Sequence, residues 1–566
     1  MLQSIDQLLT QHAINAPERV LLVADHKAYP ACVLEQMRRH VSALLWQRGI
    51  RPGDRVAMCM PKSVEMVVAM LAISRLGAIF VPINPASLGA QIQHIVQDCQ
   101  ASLFITDAIR HQRFLTADRT ADRTAAHKAD RKADHSADVP VKGAAFTVDT
   151  WILDLPQELQ GGVSSTELDP QHDAPLDTHP GFTQEDDNVA RIAPQLSDIA
   201  ALLYTSGSTG NPKGVVLSHQ NLLLGALSVS QYLALTAKDR VLAVLPFSFD
   251  YGLNQLWSSW QVGACVVLLD YLLPQDVMRA VREQQITVLA AVPPLWSALV
   301  RLRWPAEAAA RLRVLTNSGG HLAPVLADSM AECFPHSDIY LMYGLTEAFR
   351  STYLPPAERL RRPTSVGKAI PFADILVLND KGQPCAPYEH GELVHRGPLV
   401  AQGYWQAPEL TAQRFRPDPL QPSGAVTRLA VWSGDTFFKD EDGYLYFVSR
   451  RDDMIKTQGH RVSPTEVEQA VLALSADIID VAAIAVNAGP ADSLLAGQTL
   501  IAVIYSASAE QPHAHWLQQL RTQLPGYMLP RCFIALPALP KNGNGKIDRS
   551  ALKQQFADVL LEGSIQ

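Results

Sequence analysis

The sequence predicts an α/β protein with a large amino-terminal domain, made of two αβ-layered subdomains and a β-rich subdomain, and a small α+β carboxy-terminal domain. Three observations predict this architecture. The chain has 566 residues, too many for one compact core. Short apolar strands alternate with helical periodicity as far as about residue 370, which is typical of a parallel sheet covered on both faces. Residues from about 370 to 448 contain many short strands, and a smaller unit of helices and strands begins after Arg451.

Composition indicates a soluble globular protein, with 47% hydrophobic and 18% charged residues. The net charge is −8 and no Lys/Arg cluster dominates, so we expect neither nucleic acid nor an anionic membrane surface as a partner. The amino terminus lacks the pattern of a signal peptide, and Arg75 interrupts the most apolar region, Val67 to Ile83, so we expect no membrane insertion. Seven scattered cysteines without a C-x-x-C pair indicate reduced thiols, as in a cytoplasmic protein.

The first subdomain extends to about residue 105. Strands are predicted at Val56–Met60 and Ile79–Ile83, with a helix at Glu65–Leu76 between them. From about residue 107 to 195 this pattern stops, and the dipeptide Ala-Asp recurs roughly every four residues between Ala117 and Asp138. Such a segment buries too little apolar surface to offset its ordering entropy, so we predict a low-complexity insertion, either a solvated helix or disordered.

The stretch around which the chain is organised is Tyr204 to His219, YTSGSTGNPKGVVLSH, which follows an apolar strand. Glycines and hydroxyls after a buried strand leave backbone N–H groups free to bind phosphate oxygens. The spacing differs from that of a P-loop, because Pro212 precedes Lys213 and Val215–Leu217 predict a second strand. A flexible surface loop is the alternative. We predict a triphosphate clamp made of Thr205, Ser206, Gly207, Ser208, Thr209, Gly210 and Lys213.

From Ile199 the alternation of strands and helices resumes. Strands are predicted at Cys265–Leu269 and Ile286–Val292, and the glycines Gly319 and Gly320 lie at the end of the next strand. Ligands of open α/β sheets bind at the carboxyl ends of strands. Because glycine lets a flat ring approach the backbone closely, we expect these two glycines beside a nucleotide base.

The segment Leu341–Thr352, LMYGLTEAFRST, brings three kinds of ligand group into one short turn. Tyr343 offers an aromatic face to adenine, Thr346 a hydroxyl to a phosphate, and Glu347 a carboxylate to Mg²⁺. The alternative is that Tyr343 is a core residue and Glu347 a charge at a helix start. The combination favours a nucleotide and magnesium site.

These strings resemble the phosphate-binding and adenine/magnesium motifs of the AMP-forming adenylate-forming enzymes, a superfamily of acyl-CoA synthetases, amino-acid adenylation domains and luciferases. The region from about 199 to 460 most resembles the acyl-CoA ligase-like proteins found beside exosortase systems. The resemblance implies an AMP-binding core domain over residues 1–449 and a small mobile domain over residues 450–566. It also implies that ATP and Mg²⁺ are bound.

The resemblance assigns further roles. Asp435 and Arg450 are implied to bind the ribose, Asp452 to be the hinge of the mobile domain, and Lys546 to be the catalytic lysine on a turn made flexible by its glycines. Lys213, Thr346 and Glu347 complete the implied catalytic set, with Glu347 as the metal ligand. The implied contacts to the nucleotide also include Gly319, Gly320, His321, Met342, Tyr343 and Gly344.

The pocket for the acid is implied by the same alignment. Its positions are Asp250, Tyr251, Asn254, Ala291, Thr316, Ser318, Met342 and Arg350. A carboxylate in an apolar pocket is costly unless a cation meets it, so Asp250 favours an amino acid or another amine-bearing acid over a fatty or aryl acid. Asp250 as a helix cap is the alternative. Arg350 either meets a second polar group of the substrate or is a salt-bridged scaffold residue.

We therefore predict an ATP-dependent, AMP-forming ligase that adenylates a carboxylic acid and transfers the acyl group to a thiol. The thiol belongs to coenzyme A or to the phosphopantetheine of a separate carrier protein, which we expect as a partner. A fatty or aryl acyl-CoA synthetase is the alternative enzyme. A non-catalytic nucleotide sensor on the same fold is a different class of function, and the joint presence of Lys213, Glu347 and Lys546 argues against it.

Overall fold

The structure is a computed structural model. It describes residues 2–87, 89–112, 114, 148–153, 163–164, 189, 192–205, 212–320, 322–421, 428–450, 455–457, 460–475, 477–487, 499–508, 513–524, 526–542 and 545–556. Most of the predicted insertion at 107–195 lies outside these residues. So do the predicted site residues Ser206, Gly207, Ser208, Thr209, Gly210, His321 and Asp452, and the side chain of Arg450.

Strands alternate with helices through the first 350 residues. The strands up to residue 354 are β1 Val20–Ala24, β2 Lys27–Pro30, β3 Arg55–Cys59, β4 Ile79–Pro82, β5 Leu103–Thr106, β6 Asp149–Ile152, β7 Val163–Ser164, β8 Ile199–Thr205, β9 Lys213–Ser218, β10 Arg240–Ala243, β11 Cys265–Leu268, β12 Val288–Ala291, β13 Val314–Asn317, β14 Asp338–Gly344 and β15 Arg350–Leu354. The helices of this part are α1 Gln7–Asn15, α2 Ala31–Gln47, α3 Val64–Arg75, α4 Gly89–Asp98, α5 His219–Tyr232, α6 Asp250–Gln261, α7 Pro274–Glu283, α8 Pro293–Leu299, α9 Ala306–Arg311 and α10 Pro324–Cys333.

The rest of the described chain is richer in strands. These strands are β16 Ser365–Ala369, β17 Asp374–Leu378, β18 Gly391–Arg396, β19 Phe415–Pro417, β20 Leu429–Lys439, β21 Leu445–Arg450, β22 Ile455–Thr457, β23 His460–Val462, β24 Ile478–Asn487, β25 Thr499–Ala507 and β26 Cys532–Ala535. The helices are α11 Pro408–Arg414, α12 Pro464–Leu472, α13 His513–Gln523 and α14 Arg549–Phe556.

One sheet has the order β6-β5-β3-β4-β8-β9. Its strands pair in parallel except for the antiparallel pair β8–β9. The central strands β3, β4 and β5 are largely apolar and buried, as parallel strands covered on both faces are. Helix α3 covers this sheet and begins after Ser63, whose hydroxyl accepts from the Met66 N–H. Strands β3 and β4 and helix α3 confirm the predicted strand–helix–strand order.

A second sheet runs through β14-β13-β12-β10-β11-β1, and these neighbours pair in parallel. Antiparallel pairing of β14 with β15, β15 with β16 and β16 with β21 joins it to the β-rich strands β17, β18 and β20. The carboxyl ends of β12, β13 and β14 lie side by side because their register is parallel. The polar residues that follow these strands are therefore brought to one edge.

The last part of the chain forms a three-stranded sheet, β24-β25-β26. Two apolar clusters consist of residues between Ile455 and Phe556. Ser463, just before α12, donates its hydroxyl to the Val448 carbonyl at 2.7 Å and so ties this unit to β21. The mixture of parallel sheets, helices and a β-rich part confirms the predicted α/β class, while the domain boundary at residues 449 and 450 stays a prediction.

None of the helices in the described ranges is both long enough and apolar enough to cross a lipid bilayer.

Candidate active site

The β8–β9 hairpin places the predicted phosphate clamp. Thr205 and Lys213 are cross-strand partners at the open end of the hairpin, where the predicted loop begins and ends. The Thr205 hydroxyl is buried and has no hydrogen-bond partner among the described residues. The Lys213 ammonium donates to the Tyr404 hydroxyl at 2.7 Å and lies 4.0 Å from the centre of its ring. The hairpin thus presents a lysine and a buried hydroxyl at the end where the phosphate clamp is predicted.

Tyr404 links this lysine to the predicted metal ligand. Its hydroxyl donates to Glu347 Oε1 at 2.6 Å, while the Lys213 ammonium lies 3.7 Å from the same oxygen. Burial, and then the negative charge of Glu347, raise the pKa of the Tyr404 phenol, which therefore stays protonated and donates. The three side chains form a compact, charge-balanced group, here called the Lys213–Tyr404–Glu347 cluster.

Backbone pairing sets the position of Tyr404. It forms an isolated antiparallel bridge with Val215, and the Trp405 N–H donates to the Gly214 carbonyl at 2.8 Å. Sequence reasoning did not assign Tyr404 a role. The only signal available was its place in a Gly-Tyr-Trp turn, which does not reveal that the turn pairs with β9 about 190 residues earlier in the chain.

Asp250 contacts the turn that carries Glu347, through the neighbouring residue Thr346. It is the first residue of α6, 7% exposed, and its Oδ1 accepts from the Thr346 hydroxyl at 3.4 Å. The helix cap is Phe249, so the alternative role of Asp250 as the capping residue is not the one observed. Burial raises the pKa of the Asp250 carboxyl, and the positive charges of Arg350 and Lys546 act in the opposite direction.

The charge of Lys546 acts on Asp250, so the carboxy-terminal turn lies close to this pocket. The turn is held by backbone bonds from Asn542 N to the Lys546 carbonyl at 2.7 Å and from Gly545 N to the Asn542 carbonyl at 2.9 Å. Gly545 has φ +75°, a conformation that strains other residues. Lys546 itself is exposed.

The Lys546 turn is anchored from behind by an ion pair. The Arg549 guanidinium contacts both carboxylate oxygens of Glu468 at 2.6 Å, and Glu468 also accepts from the Ala483 N–H at 2.8 Å. This bidentate geometry fixes both side chains. It holds the start of α14, and with it the turn, against α12 and β24.

Two of the predicted ribose and adenine contacts, Asp435 on β20 and Tyr343 on β14, lie together although their strands are not neighbours in the sheet. The Tyr343 hydroxyl donates to Asp435 Oδ2 at 2.6 Å, and its ring packs edge-on against Phe437 with centroids 4.9 Å apart. Asp435 on β20 is the register partner of Arg450 on β21. Gly319 has φ +80°, a conformation that residues with a side chain rarely adopt, and a Cβ there would lie 3.3 Å from the Val292 side chain.

A narrow cavity of about 20 Å³ lies between helices α5 and α6 and the second sheet. Its walls include these predicted substrate positions: Tyr251, Asn254, Thr316, Met342 and Arg350. The Tyr251 and Thr316 hydroxyls are 2.6 Å apart, and Ser318 accepts from Arg350 at 3.2 Å. Ala291 is buried at the end of β12. A larger, open groove of about 260 Å³ is lined instead by strands of the β-rich part, around Lys368 and Lys439.

A family model described as "AMP-binding enzyme" matches residues 9–405. The chain belongs to the AMP-binding enzyme family. This match confirms the resemblance that the motifs indicate, and it covers the phosphate hairpin, the Glu347 turn and the acid pocket.

Relatives of this AMP-binding enzyme include much longer synthetases. The dimodular nonribosomal peptide synthase of Bacillus subtilis (strain 168) is 30% identical over 565 residues, which are 97% of this chain and 21% of the relative. Delta-poly-L-ornithine synthetase of Acinetobacter baumannii (strain AB307-0294) is 30% identical over 561 residues, 98% of this chain and 37% of the relative. The chain therefore spans well under half of the length of these two curated relatives.

Solved structures match this AMP-binding enzyme over almost its whole length. The o-succinylbenzoate CoA synthetase of Bacillus subtilis has a TM-score of 0.75 at 24% identity and covers 96% of this chain and 97% of its own. ATP-bound MatB of Rhodopseudomonas palustris has a TM-score of 0.77 at 24% identity and covers 98% and 100%. These likenesses confirm the fold.

Proposed function

We propose that this protein is an ATP-dependent, AMP-forming ligase that adenylates a carboxylic acid, preferentially an amino acid, and then transfers the acyl group to a thiol. The observation that carries the proposal is that the Thr346 hydroxyl, which donates to Asp250, lies next to Glu347 of the Lys213–Tyr404–Glu347 cluster. The hairpin, the Glu347 turn and the start of α6 come together there from separate parts of the chain. The predicted roles of the individual residues are part of this proposal.

The lysines and hydroxyls of the site suit adenylation, in which both reacting groups are negatively charged. A carboxylate attacks a polyanionic triphosphate, and the leaving pyrophosphate gathers further charge, so the site must supply positive charge and oriented donors rather than a base. Lys546 would bridge the substrate carboxylate and the α-phosphate. Lys213 and the loop that begins at Thr205 would hold the pyrophosphate.

Glu347 fits the role of a Mg²⁺ ligand. Its carboxylate is a hard oxygen donor at the edge of the site, and the contacts that now occupy Oε1 come from a phenol and an ammonium that a dication could displace. Bound Mg²⁺ would neutralise charge on the phosphates. Tyr404 would keep Glu347 and Lys213 oriented before the nucleotide arrives.

The nucleoside would lie at the other group of residues. The buried carboxylate of Asp435 accepts a hydrogen bond from Tyr343 and would also accept hydrogen bonds from the ribose hydroxyls. Tyr343, packed against Phe437, would present the remaining face of its ring to adenine. Gly319 leaves space for close approach of the base.

The environment of Asp250 supports an amine-bearing acid as the substrate. Its carboxylate is buried and forms no ion pair with a described residue, and only Thr346 donates to it from another side chain. A substrate ammonium would compensate this charge, whereas a fatty or aryl acid would not. The nonribosomal peptide synthase among the relatives agrees with this preference, and the acyl-adenylate bound to the o-succinylbenzoate CoA synthetase agrees with the chemistry.

The second half-reaction needs a thiol. The coenzyme A ligases among the structural neighbours and the peptide synthases among the relatives support coenzyme A and a carrier-protein phosphopantetheine respectively. We infer a separate carrier protein as the partner, a rotation of the small domain about Asp452 between the two steps, and a cytoplasmic location.

Amino-acid-dependent exchange of pyrophosphate into ATP tests the proposal. We expect exchange that requires Mg²⁺ and an amino acid, and that falls at least about 100-fold in Asp250→Asn because the isosteric amide cannot neutralise an ammonium. A nucleotide sensor would bind ATP but show no exchange with any acid. Exchange confined to fatty or aryl acids would contradict the proposed role of Asp250 and leave the alternative enzyme.

A further inference from the structure

Arg350 is the second buried charge of the acid pocket. It is 2% exposed, and its guanidinium lies 4.5 Å from the centre of the Tyr251 ring and donates to the Ser318 hydroxyl at 3.2 Å. No carboxylate in the described part of the chain forms an ion pair with it. The alternative that Arg350 is a salt-bridged scaffold residue is therefore not the arrangement observed.

Arg350 lines the cavity, and the oppositely charged Asp250 directly precedes Tyr251 of the cavity wall without contacting Arg350. Burial raises the pKa of the Asp250 carboxyl and the charge of Arg350 opposes that rise, but no hydrogen bond or ion pair joins the two side chains. Each charge therefore bears a desolvation penalty that direct pairing would have reduced. Two opposite charges held apart in a pocket are complementary to a ligand that carries both signs.

The cavity wall near Arg350 holds further polar atoms. Asn254 is 3% exposed and Gln255 is 6% exposed, and both line the cavity together with Arg350. Asn254 Oδ1, both polar atoms of the Gln255 side chain, and Arg350 Nε have no hydrogen-bond partner among the described residues. Buried polar atoms in native proteins nearly always have a partner. Donors at Arg350 Nε and Gln255 Nε2 are thus available to a ligand oxygen.

We propose that the substrate is an amino acid whose short side chain ends in a second carboxylate. The inference rests on the proposed function and names its substrate class. Lys546 would receive the reacting carboxylate, Asp250 the ammonium, and Arg350 the side-chain carboxylate, with Gln255 donating to the same group. Each of the three charges of a dicarboxylic amino acid then meets one opposite charge of the protein.

Size limits the side chain. The cavity is about 20 Å³, and a water-sized group needs about 10–15 Å³. The cavity therefore admits one small polar group and no bulky one, which is compatible with the single side-chain carboxylate of aspartate or glutamate. A terminal amide of the same shape would accept hydrogen bonds from Arg350 but would leave its charge uncompensated, so we expect it to be a poorer substrate.

Pyrophosphate exchange with isosteric pairs of amino acids tests the inference. The full chain is assayed with aspartate against asparagine, glutamate against glutamine, and with leucine and lysine. We expect kcat/KM for the better acidic substrate to exceed that for its own amide by about 10-fold or more, which is the difference between a charged and a neutral hydrogen bond. Arg350→Gln should reduce this ratio to near unity.

Arg313→Gln is the matched control. Arg313 lies immediately before β13 and pairs with Asp239 at 2.6 Å, so its loss should affect stability and leave the acid-to-amide ratio unchanged. The exchange rates of the wild-type chain with this set of amino acids decide the substrate class even if Arg350→Gln fails to fold. Exchange that is strongest with leucine, lysine or an amide would overturn the substrate class alone, whereas exchange confined to a fatty acid would also contradict the proposed preference for an amino acid. No exchange with any acid would overturn the proposed function, and this inference with it.

Discussion

Replacing Lys546 with alanine separates the two half-reactions that the site is proposed to catalyse. The ammonium of Lys546 acts on Asp250 at the acid pocket and would contact the substrate carboxylate and the α-phosphate during adenylation. Loss of one preorganised charged donor costs about 2.7–4 kcal/mol, or about 100- to 1,000-fold in rate. We expect Lys546→Ala to lower exchange of pyrophosphate into ATP by this factor. Transfer of the acyl group from preformed adenylate to a thiol should stay within about threefold of wild type.

Lys541→Ala is the control for this prediction. Lys541 lies on the same turn as Lys546, forms a bridge with Ile547 and pairs with Asp480 at 2.8 Å near the surface. An exposed ion pair contributes less than about 1 kcal/mol, so this variant should keep both half-reactions. An equal loss of both half-reactions in Lys546→Ala, or a comparable loss in Lys541→Ala, would refute the role given to Lys546.

Three further predictions follow from particular contacts. Tyr404→Phe removes the hydroxyl that joins Lys213 to Glu347, so KM for MgATP should rise about 10-fold, corresponding to about 1.5 kcal/mol. Tyr388→Phe, at an exposed tyrosine, is the control and should leave this KM unchanged. An unaltered KM in Tyr404→Phe would contradict the orienting role of Tyr404. Asp435→Ala should weaken ATP binding, measured by titration, by at least about 10-fold with little change in rate at saturation, and a fall in rate alone would contradict it. Burial lowers the pKa of His395 from 6.5 to about 3, so only the unfolded chain gains a proton there between these values. The free energy of unfolding, measured with denaturant, should thus fall by about 2 kcal/mol between about pH 7.5 and pH 5, with the loss beginning near pH 6.5. In His395→Gln the free energy of unfolding should depend less steeply on pH over this range.

Local patterns were sufficient for most of the fold. The apolar runs of β3 and β4 with α3 between them, and the strand–turn–strand of β8 and β9, are encoded in stretches of fewer than about 30 residues, within which periodicity and turn residues act directly. The glycines after β13 and the carboxylate of Glu347 after β14 were predictable for the same reason. Parallel register then brings these strand ends to one edge without further information.

Long-range partners were not predictable in this way. Nothing in the residues around Tyr404 indicates that its hydroxyl lies between Lys213 and Glu347, because that contact depends on the bridge between Val215 and Tyr404. Gln255 looks like an ordinary helix residue in the sequence, and only the packing of α6 against the second sheet turns its amide into the cavity.

The residues alone therefore decided the class of fold, the β8–β9 hairpin and the family, since these depend on short-range periodicity and on turns that glycine and proline specify. The folded chain decided the charge pattern of the acid pocket: Arg350 stacked on Tyr251, Asp250 bonded to Thr346, and neither paired with the other. The physical reason is that the separation of two charges, and hence their need for a ligand, is set by sheet order and helix packing.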